Sequence, residues 1–577
     1  MENKENITPA SAAAEATAPA STPVAPAAAP AAPAAKPAAP RPAVARPAAA
    51  PAQPGENEIK PRLVAPEELH NEMQKLRDEE KMDFLECLTG EDWGEEGLGV
   101  VYNLWSTETG QRAYIKTLTT DRENPFLPTV SDLWEIANVY EREVLDFYGI
   151  KFLGHPDMRR IYLREDWVGY PLRKDDETEK NNPLRMTNEV IADTTTEYNR
   201  AADGTITATE HVVFAPEDYV VNIGPQHPST HGVLHFRVKL DGERIKKIDP
   251  KLGYIHRGIE KLNETYTYPQ TLALTDRLDY LGALQSRHAL CMAIEKAASI
   301  EVSDRVHVVR TILDELQRID SHILFFSCLC QDMGATTAFL YGFRDREKVL
   351  DIFEETCGGR LIINYNMIGG LAHDIHPNFQ KRVKEFIPIM RKGIKEYYDI
   401  FINNVIARNR LIGVGVLSNE QVRNMGVTGP SGRASGWAND VRKRAPYAAY
   451  GKVKFEQVVR TEGDSYARLL CRIDEIEQSL QIIEQLIDNI PEGAFQTKTK
   501  PIIKVPAGTY YSCVEGSRGE FGVFLESKGD KSPYRLHYRS TGLPLVNAMN
   551  VACHDELIAD MMAINGTLDY VVPDIDR

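Results

Sequence analysis

Residues 233–240, VLHFRVKL, alternate in character: Val233, His235, Arg237 and Lys239 fall on one side, Leu234, Phe236, Val238 and Leu240 on the other. A period of two predicts a strand with one face toward a core. DYVVNI before it reads as another strand, and Asp241-Gly242 supplies a hairpin turn into ERIKKIDP. Longer runs change the period to that of a helix. SDRVHVVRTILDELQRIDSHILFFSCLCQDMGA has Ser303 as a cap and Gly334 past its end; REKVLDIFEETCGGR stops on a glycine pair; DSYARLLCRIDEIEQSLQIIEQLIDNI is a third amphipathic run. Earlier in the chain, PEELHNEMQKLRDEEKMDFLECLTG reads as one helix, and GLGVVYNLWST and QRAYIKTLTT as strands. SDLWEIANVYEREVLDFYGI reads as a helix capped by Ser131, with Leu133, Ile136, Val139, Tyr140, Val144 and Phe147 on its apolar face.

These elements divide the chain. Residues 1–61 are almost all Ala, Pro, Thr, Ser and Val, too poor in large apolar groups to offset chain entropy, and are expected to form a disordered arm. Residues 62–193 are expected to form a small α+β domain, the polar residues 194–209 a linker, and residues 210–577 a mainly helical domain with a β layer at its N-terminal edge. The expected class is multidomain α+β.

Composition narrows the function. The net charge of −16 opposes a nucleic-acid partner. No stretch approaches 18 consecutive apolar residues, so membrane contact is expected through partners, and the N-terminus lacks the order of a secretory signal. The eight cysteines include no C-x-x-C pair, which favours reduced thiols; Cys328 and Cys330 read as packing residues.

Candidate chemistry starts in NIGPQHPSTHG, residues 222–232, the connection between two strands. His227 and His231 are four apart, but Pro228 opposes a helical zinc face and no further ligands lie nearby. A rigid turn with hydrogen-bonded histidines remains open, and so does a proton donor working near neutral pH. LGYIHRGIEKL (252–262), DRLDYLGALQSRH (276–288) and DYVVPDIDR (569–577) mix charges and Tyr into apolar runs, each weak evidence alone.

Together, GPQHPSTHG, LGYIHRGIEKL, DRLDYL and the closing IDR resemble the D subunit of bacterial respiratory complex I, the NADH–quinone oxidoreductase. EREVLDFYGIKFLGHPDMRRIYLREDWVGYPLRKD, residues 141–175, resembles the C subunit of the same complex, so residues from about 62 to 577 look like a fused C/D subunit. The D subunit is related to nickel–iron hydrogenase large subunits, whose frame is partly kept: Arg257-Gly258-Ile259-Glu260, sixteen residues, then Arg277, with Asp569 and Arg577 at the end. The four cysteine positions of that frame hold Asp279, Gly282, Val571 and Asp574, which removes the soft ligands nickel needs.

The resemblance implies a quinone site shared with the complex's B subunit. His231 and Tyr280 would hold the two sides of the headgroup, and Asp332 would pair with the histidine; His227 is expected to be a lesser contact or loop structure. Arg257 and Glu260 are expected to form buried polar contacts near the partner's iron–sulfur cluster. The chain itself is expected to bind no cofactor or metal. Implied partners are the B, I and G subunits, the membrane-embedded H subunit, and quinone, at the cytoplasmic side of the bacterial inner membrane. His155 and the Arg159-Arg160 pair are expected to be structural, or contacts to the D, B or I subunits. Ile362, Ile363 and Met367 stand where family members often carry His, His and Arg. That departure is expected to lower the potential of the neighbouring cluster and to suit a low-potential quinone such as menaquinone. The rival readings are a large subunit of an energy-converting hydrogenase or ferredoxin-linked complex, which the missing thiolates oppose, and an assembly scaffold.

Overall fold

A computed structural model describes residues 57–176, 193–226 and 232–577. In the first part, β1 (Arg62–Leu63), β2 (Phe84–Asp92), β3 (Leu98–Trp105) and β4 (Arg112–Thr119) form one sheet in the order β1-β4-β3-β2. Two helices accompany it, α1 (Pro66–Asp78) and α2 (Ile136–Tyr148). The stretch expected as one helix over 66–90 therefore breaks in two. Its charged middle turns at Lys81, which takes a positive φ of 59°, and MDFLECLTG leads into β2, buried along its whole length. A strand buried on both faces shows no alternation, so its apolar run passes for helix. Ser131 is not the cap of α2: a turn holds Leu133, and the helix starts after Glu135.

A second sheet runs β5-β6-β7-β8, from β5 (Phe126–Pro128), β6 (Lys151–Leu153), β7 (Thr194–Arg200) and β8 (Ile206–Val212). The expected linker 194–209 thus carries β7 and most of β8. Apart from buried Thr195, its threonines and charges are exposed or half-buried on a hairpin at the sheet edge, so no continuous buried face wrote a period into the sequence. Residues 171–176 are tied across the chain: Arg173 donates to the Tyr148 carbonyl (2.7 Å) and Lys174 to that of Tyr534 (2.7 Å). Residues 177–192 lie outside the described residues, as does the arm up to residue 56.

The predicted hairpin follows as β10 (His235–Asp241) and β11 (Arg244–Lys251), with β9 (Tyr219–Ile223) on the other edge of β10. Leu234, Phe236 and Val238 are fully buried, as the alternation requires. The helical part contains α3 (Ile259–Thr265), α4 (Tyr268–Thr275), α5 (Ala283–Ala297), α6 (Asp304–Asp332), α7 (Thr336–Cys357) and α8 (Phe379–Tyr397). A two-stranded ribbon, β12 (Asn366–Met367) and β13 (Gly370–Leu371), lies between α7 and α8 in sequence. Then come α9 (Ser465–Ile487), the sheet of β14 (Gly508–Gly516), β15 (Gly519–Ser527) and β16 (Arg535–Arg539), and finally α10 (Ile558–Leu568) and α11 (Val572–Asp576). Ser303 caps α6 through Val306 N–H, and Gly358 ends α7 in the left-handed region. Among the described residues no helix is long and apolar enough to cross a membrane.

The cores do not respect the expected domain division. Phe84, Leu104, Trp134 and Phe152 pack in one apolar cluster with Phe236, Ile245, Leu568 and Ile575, and the described residues belong to a single contact unit. The contact is closest at Gly253. At a φ of 94°, its backbone lies so near the Tyr162 carbonyl oxygen that a Cβ would stand 1.9 Å from it. Gly253→Ala is expected to cost at least about 2 kcal/mol, from strained backbone plus a contact that cannot relax cheaply. Denaturant unfolding of the purified chain checks this; wild-type stability in the variant contradicts the close packing.

Candidate functional site

A cavity of about 510 Å³ opens where five segments far apart in sequence converge. The C-terminal turns of α6 bring Leu324, Phe325, Cys328, Gln331 and Asp332, and α7 adds Phe339. The bend after α4 brings Tyr280 and Leu281. The β14–β15 turn brings Arg518, and the α10–α11 junction Asp569, Tyr570 and Val571. Gly232, just past the histidine loop, completes the wall. His227 and His231 themselves lie outside the described residues. The loop's start is pinched: Gly224, at a φ of 95°, lies so close to the Leu234 carbonyl that a Cβ would stand 2.0 Å from it.

Of the expected residues, Tyr280 and Asp332 are brought together on this one cavity. Burial pushes the Tyr280 hydroxyl above its ordinary pKa; Arg518 opposes that shift and Asp279 adds to it. The hydroxyl therefore keeps its proton through the neutral range. Arg518 Nη1 donates to both Asp279 oxygens (3.1 and 3.0 Å) and Nη2 to Asp569 (3.4 Å). Arg472 lies 3.3 Å from the second Asp569 oxygen. Burial works against charge on Arg518, but Asp279 and Asp569 more than offset it and hold the guanidinium protonated. Burial, with Asp574 and Asp569, raises Asp279, and Arg518 pulls it back.

The four positions where the hydrogenase frame has cysteine have each been refitted. Asp279 is spent on Arg518. At Gly282 a Cβ would meet the Asp279 carboxylate at 2.8 Å, so a thiol has no room. Val571 lines the cavity. Asp574 accepts from Ser540 Oγ (2.8 Å), Thr541 N–H (2.8 Å) and Oγ1 (2.9 Å), and Gly542 N–H (3.0 Å).

Arg257 and Glu260 part company, correcting the expectation of shared buried contacts. Arg257 is exposed and donates to the Arg277 carbonyl (2.9 Å), so two arginines, both exposed, meet at the surface. Glu260 turns inward. It accepts from Arg535 (2.6 Å), Arg577 (3.1 Å) and Tyr538 N–H (3.2 Å), with His537 Nδ1 3.1 Å away. Burial raises its pKa, but Arg535, His537 and Arg577 outweigh that and hold it well below the usual carboxylate range. Arg577 also pairs with Glu143 on α2 and donates to Tyr162, so this cluster joins the two parts of the chain.

Among the described residues, two sets of possible metal ligands, Glu86/Cys513/Glu520 and Glu143/Glu260/His537, each gather within 4.8 Å. Guanidinium groups sit against the carboxylates of both, from Arg112 and Arg444 in the first and Arg535 and Arg577 in the second. Both are ion-pair clusters. In the first part, His155 Nδ1 accepts from Asp157 N–H (2.9 Å), Arg160 pairs with Asp146, and Arg159 forks onto Asp249 of β11. These are structural contacts. Sequence reasoning missed Arg518: the Gly516–Gly519 turn is visible as a hairpin signal, but not where it aims.

The sequence matches the family model of the respiratory-chain NADH dehydrogenase 30 Kd subunit over residues 63–182, and that of the 49 Kd subunit over 332–503 and 498–577. It is 67% identical over 526 residues to the NADH-quinone oxidoreductase C/D subunit of Bacteroides thetaiotaomicron, spanning 89% of this chain and 99% of that one. It is 45% identical over 370 residues to the NADH-quinone oxidoreductase D subunit of Desulfotalea psychrophila, spanning 64% of this chain and 100% of that one. A chain in the structure of the membrane-bound sulfane sulfur reductase, an archaeal respiratory membrane complex, matches with a TM-score of 0.61 at 32% identity, covering 63% of this chain and 100% of that chain.

The Glu260 cluster yields a test. Because its folded pKa is depressed, Glu260 stabilises fully above the unfolded carboxylate value of about 4.3 and loses that contribution as pH falls below it. Glu260→Gln leaves Arg535 and Arg577 short of a buried counter-charge and is expected to cost about 3 kcal/mol at pH 7. Unfolding curves from pH 7 to 3 should show the variant's deficit shrinking toward acid; a deficit constant with pH contradicts this account.

Proposed function

The chain belongs to the family of fused C/D subunits of NADH-quinone oxidoreductase, respiratory complex I, and from that premise we propose that its cavity is where the quinone headgroup is reduced. The supporting observation is that Tyr280, Asp332 and Gly232, separated by long stretches of sequence, line one largely apolar cavity. Quinone needs two electrons and two protons to become quinol. Tyr280, which burial keeps protonated, donates to one ring oxygen. His231, carried on the loop ending at Gly232, donates to the other, and Asp332 orients that ring and raises its pKa. His227 has a supporting part in the loop.

The electrons come from an iron–sulfur cluster in the B subunit. The I, G and H subunits are the other neighbours, on the cytoplasmic face of the inner membrane. Loss of the His231 proton changes the charge of the His231–Asp332 pair, and this local electrostatic change is passed to the proton-pumping membrane partners. An energy-converting hydrogenase is disfavoured by four refitted thiolate positions. A pure scaffold has no use for a half-buried Tyr and a carboxylate on one cavity.

Tyr280→Phe removes the proton and keeps the ring. In the assembled complex it should lower quinone reductase activity by about a hundredfold, while electron input to an artificial acceptor persists; unchanged quinone reduction sinks the assignment. The substitutions around the ribbon lead to a second test. Ile362 and Ile363 carry no donor, and Met367 is itself an acceptor, its Sδ taking a hydrogen bond from Arg287 (3.2 Å). An EPR redox titration of the complex should find a low-potential terminal cluster insensitive to pH. A high-potential, pH-dependent signal overturns the link to menaquinone.

A further inference from the structure

Reduction puts negative charge on the quinone oxygens before both protons have arrived. A site that lowers the barrier needs a fixed positive charge where that charge develops. Among the described residues lining the cavity, Arg518 is the one cation; Asp332 and Asp569 are acidic and the remainder neutral. It is 1% exposed. Tyr280 and the guanidinium are close enough to shift each other's pKa.

Arg518 is held to an unusual degree. Asp279 and Asp569 grip its two terminal nitrogens. The turn that carries it is clamped from two helices. Gln285 of α5 accepts from Ser517 N–H (2.9 Å) and Oγ (3.0 Å), and Arg318 of α6 donates to the carbonyls of Gly516 (2.9 Å) and Glu515 (2.6 Å). Yet Arg518 Nε, fully buried, has no acceptor among the described residues. A buried donor without a partner costs free energy, and the residue that carries it lines the cavity.

We propose that Arg518 is a quinone-contacting residue whose guanidinium holds the ring oxygen on which negative charge builds during reduction, with Asp279 and Asp569 as positioning residues. This rests on the cavity being the quinone site. The balance is unchanged: quinone takes two electrons supplied by the oxidoreductase reaction and two protons from Tyr280 and His231. Arg518 gives up no proton. Its role differs from that of Tyr280, since a group that stays charged throughout favours the electron-rich state and a group that donates completes it.

The test uses the assembled complex with decylubiquinone as substrate. Removing Arg518 alone strands two carboxylates, so the informative variant is the charge-balanced Arg518→Gln/Asp279→Asn. Its kcat is expected to fall about a hundredfold with KM within about threefold, while electron input to an artificial acceptor is unchanged. Arg518→Lys keeps the charge but loses the fork, and is expected to retain about a tenth of kcat. If the double variant does not assemble, the lysine variant decides. Wild-type kcat in either assembled variant, alongside an impaired Tyr280→Phe, makes Arg518 purely structural and overturns the proposal. Wild-type kcat in these and in Tyr280→Phe overturns the quinone assignment itself.

Discussion

Inside the helical part, arginines and carboxylates are matched where no water reaches them. Arg442 donates to Glu315, Glu475 and Asp440; Arg433 to Glu475 (2.8 Å) and Glu515 (2.6 Å); His322 lies 2.8 Å from Glu475. None of these side chains is more than 3% exposed. Each unmatched ion there would cost several kcal/mol, so the geometry of α6, α9 and β14 can relax only together. Such a lattice adds little net stability over an apolar core. It specifies one arrangement, because a slip of any element strands a charge. The β14–β15 turn hangs from this lattice through Arg318 and Glu515, and the cavity wall hangs from the turn.

That dependence explains which parts of the structure are legible in sequence. Helix α6 announces itself by capping and spacing, and β10 by its alternation. The three motifs found near the cavity or the Glu260 cluster are recognisable as segments. Their mutual placement is not, since pairing between Arg518 and Asp279, or Arg577 and Glu143, links residues hundreds of positions apart and leaves no local period. Likewise Arg257 and Glu260 read as a pair because they sit three apart, yet Gly258, at a φ of 62°, precedes a helix that leaves one outward and takes the other inward. The misread elements share a cause. β2 is buried on both faces and β8 is exposed, so neither shows the half-buried pattern from which strands are recognised.

The four positions compared with the hydrogenase frame show how this fold uses them. Glu260 remains, but its partners are structural cations that join two parts of the chain. Asp279 holds the Arg518 end of the old frame and Asp574 is an acceptor for a turn. The cavity persists because its walls are helix ends and a hairpin turn already fixed by the buried ions. New chemistry needs side chains on those walls and no new scaffold.

The same lattice decides how far a charge change at the cavity head is felt. Asp569 touches both Arg518 on the hairpin and Arg472 on α9. Arg472 in turn donates to Ser431 (3.1 Å) and to the Leu568 carbonyl at the end of α10 (3.1 Å). Two guanidinium groups that share one carboxylate respond together. Negative charge appearing beside Arg518 competes with Asp569 for it, and what Asp569 loses there it recovers at Arg472. In a low-dielectric interior a unit charge acts over this range with little screening. Asp569 therefore links the cavity wall electrostatically to α9 and, through Arg472, to the end of α10. A wall built this way is held by ion pairs already formed, and Asp569 belongs both to the wall and to the buried pairs behind it.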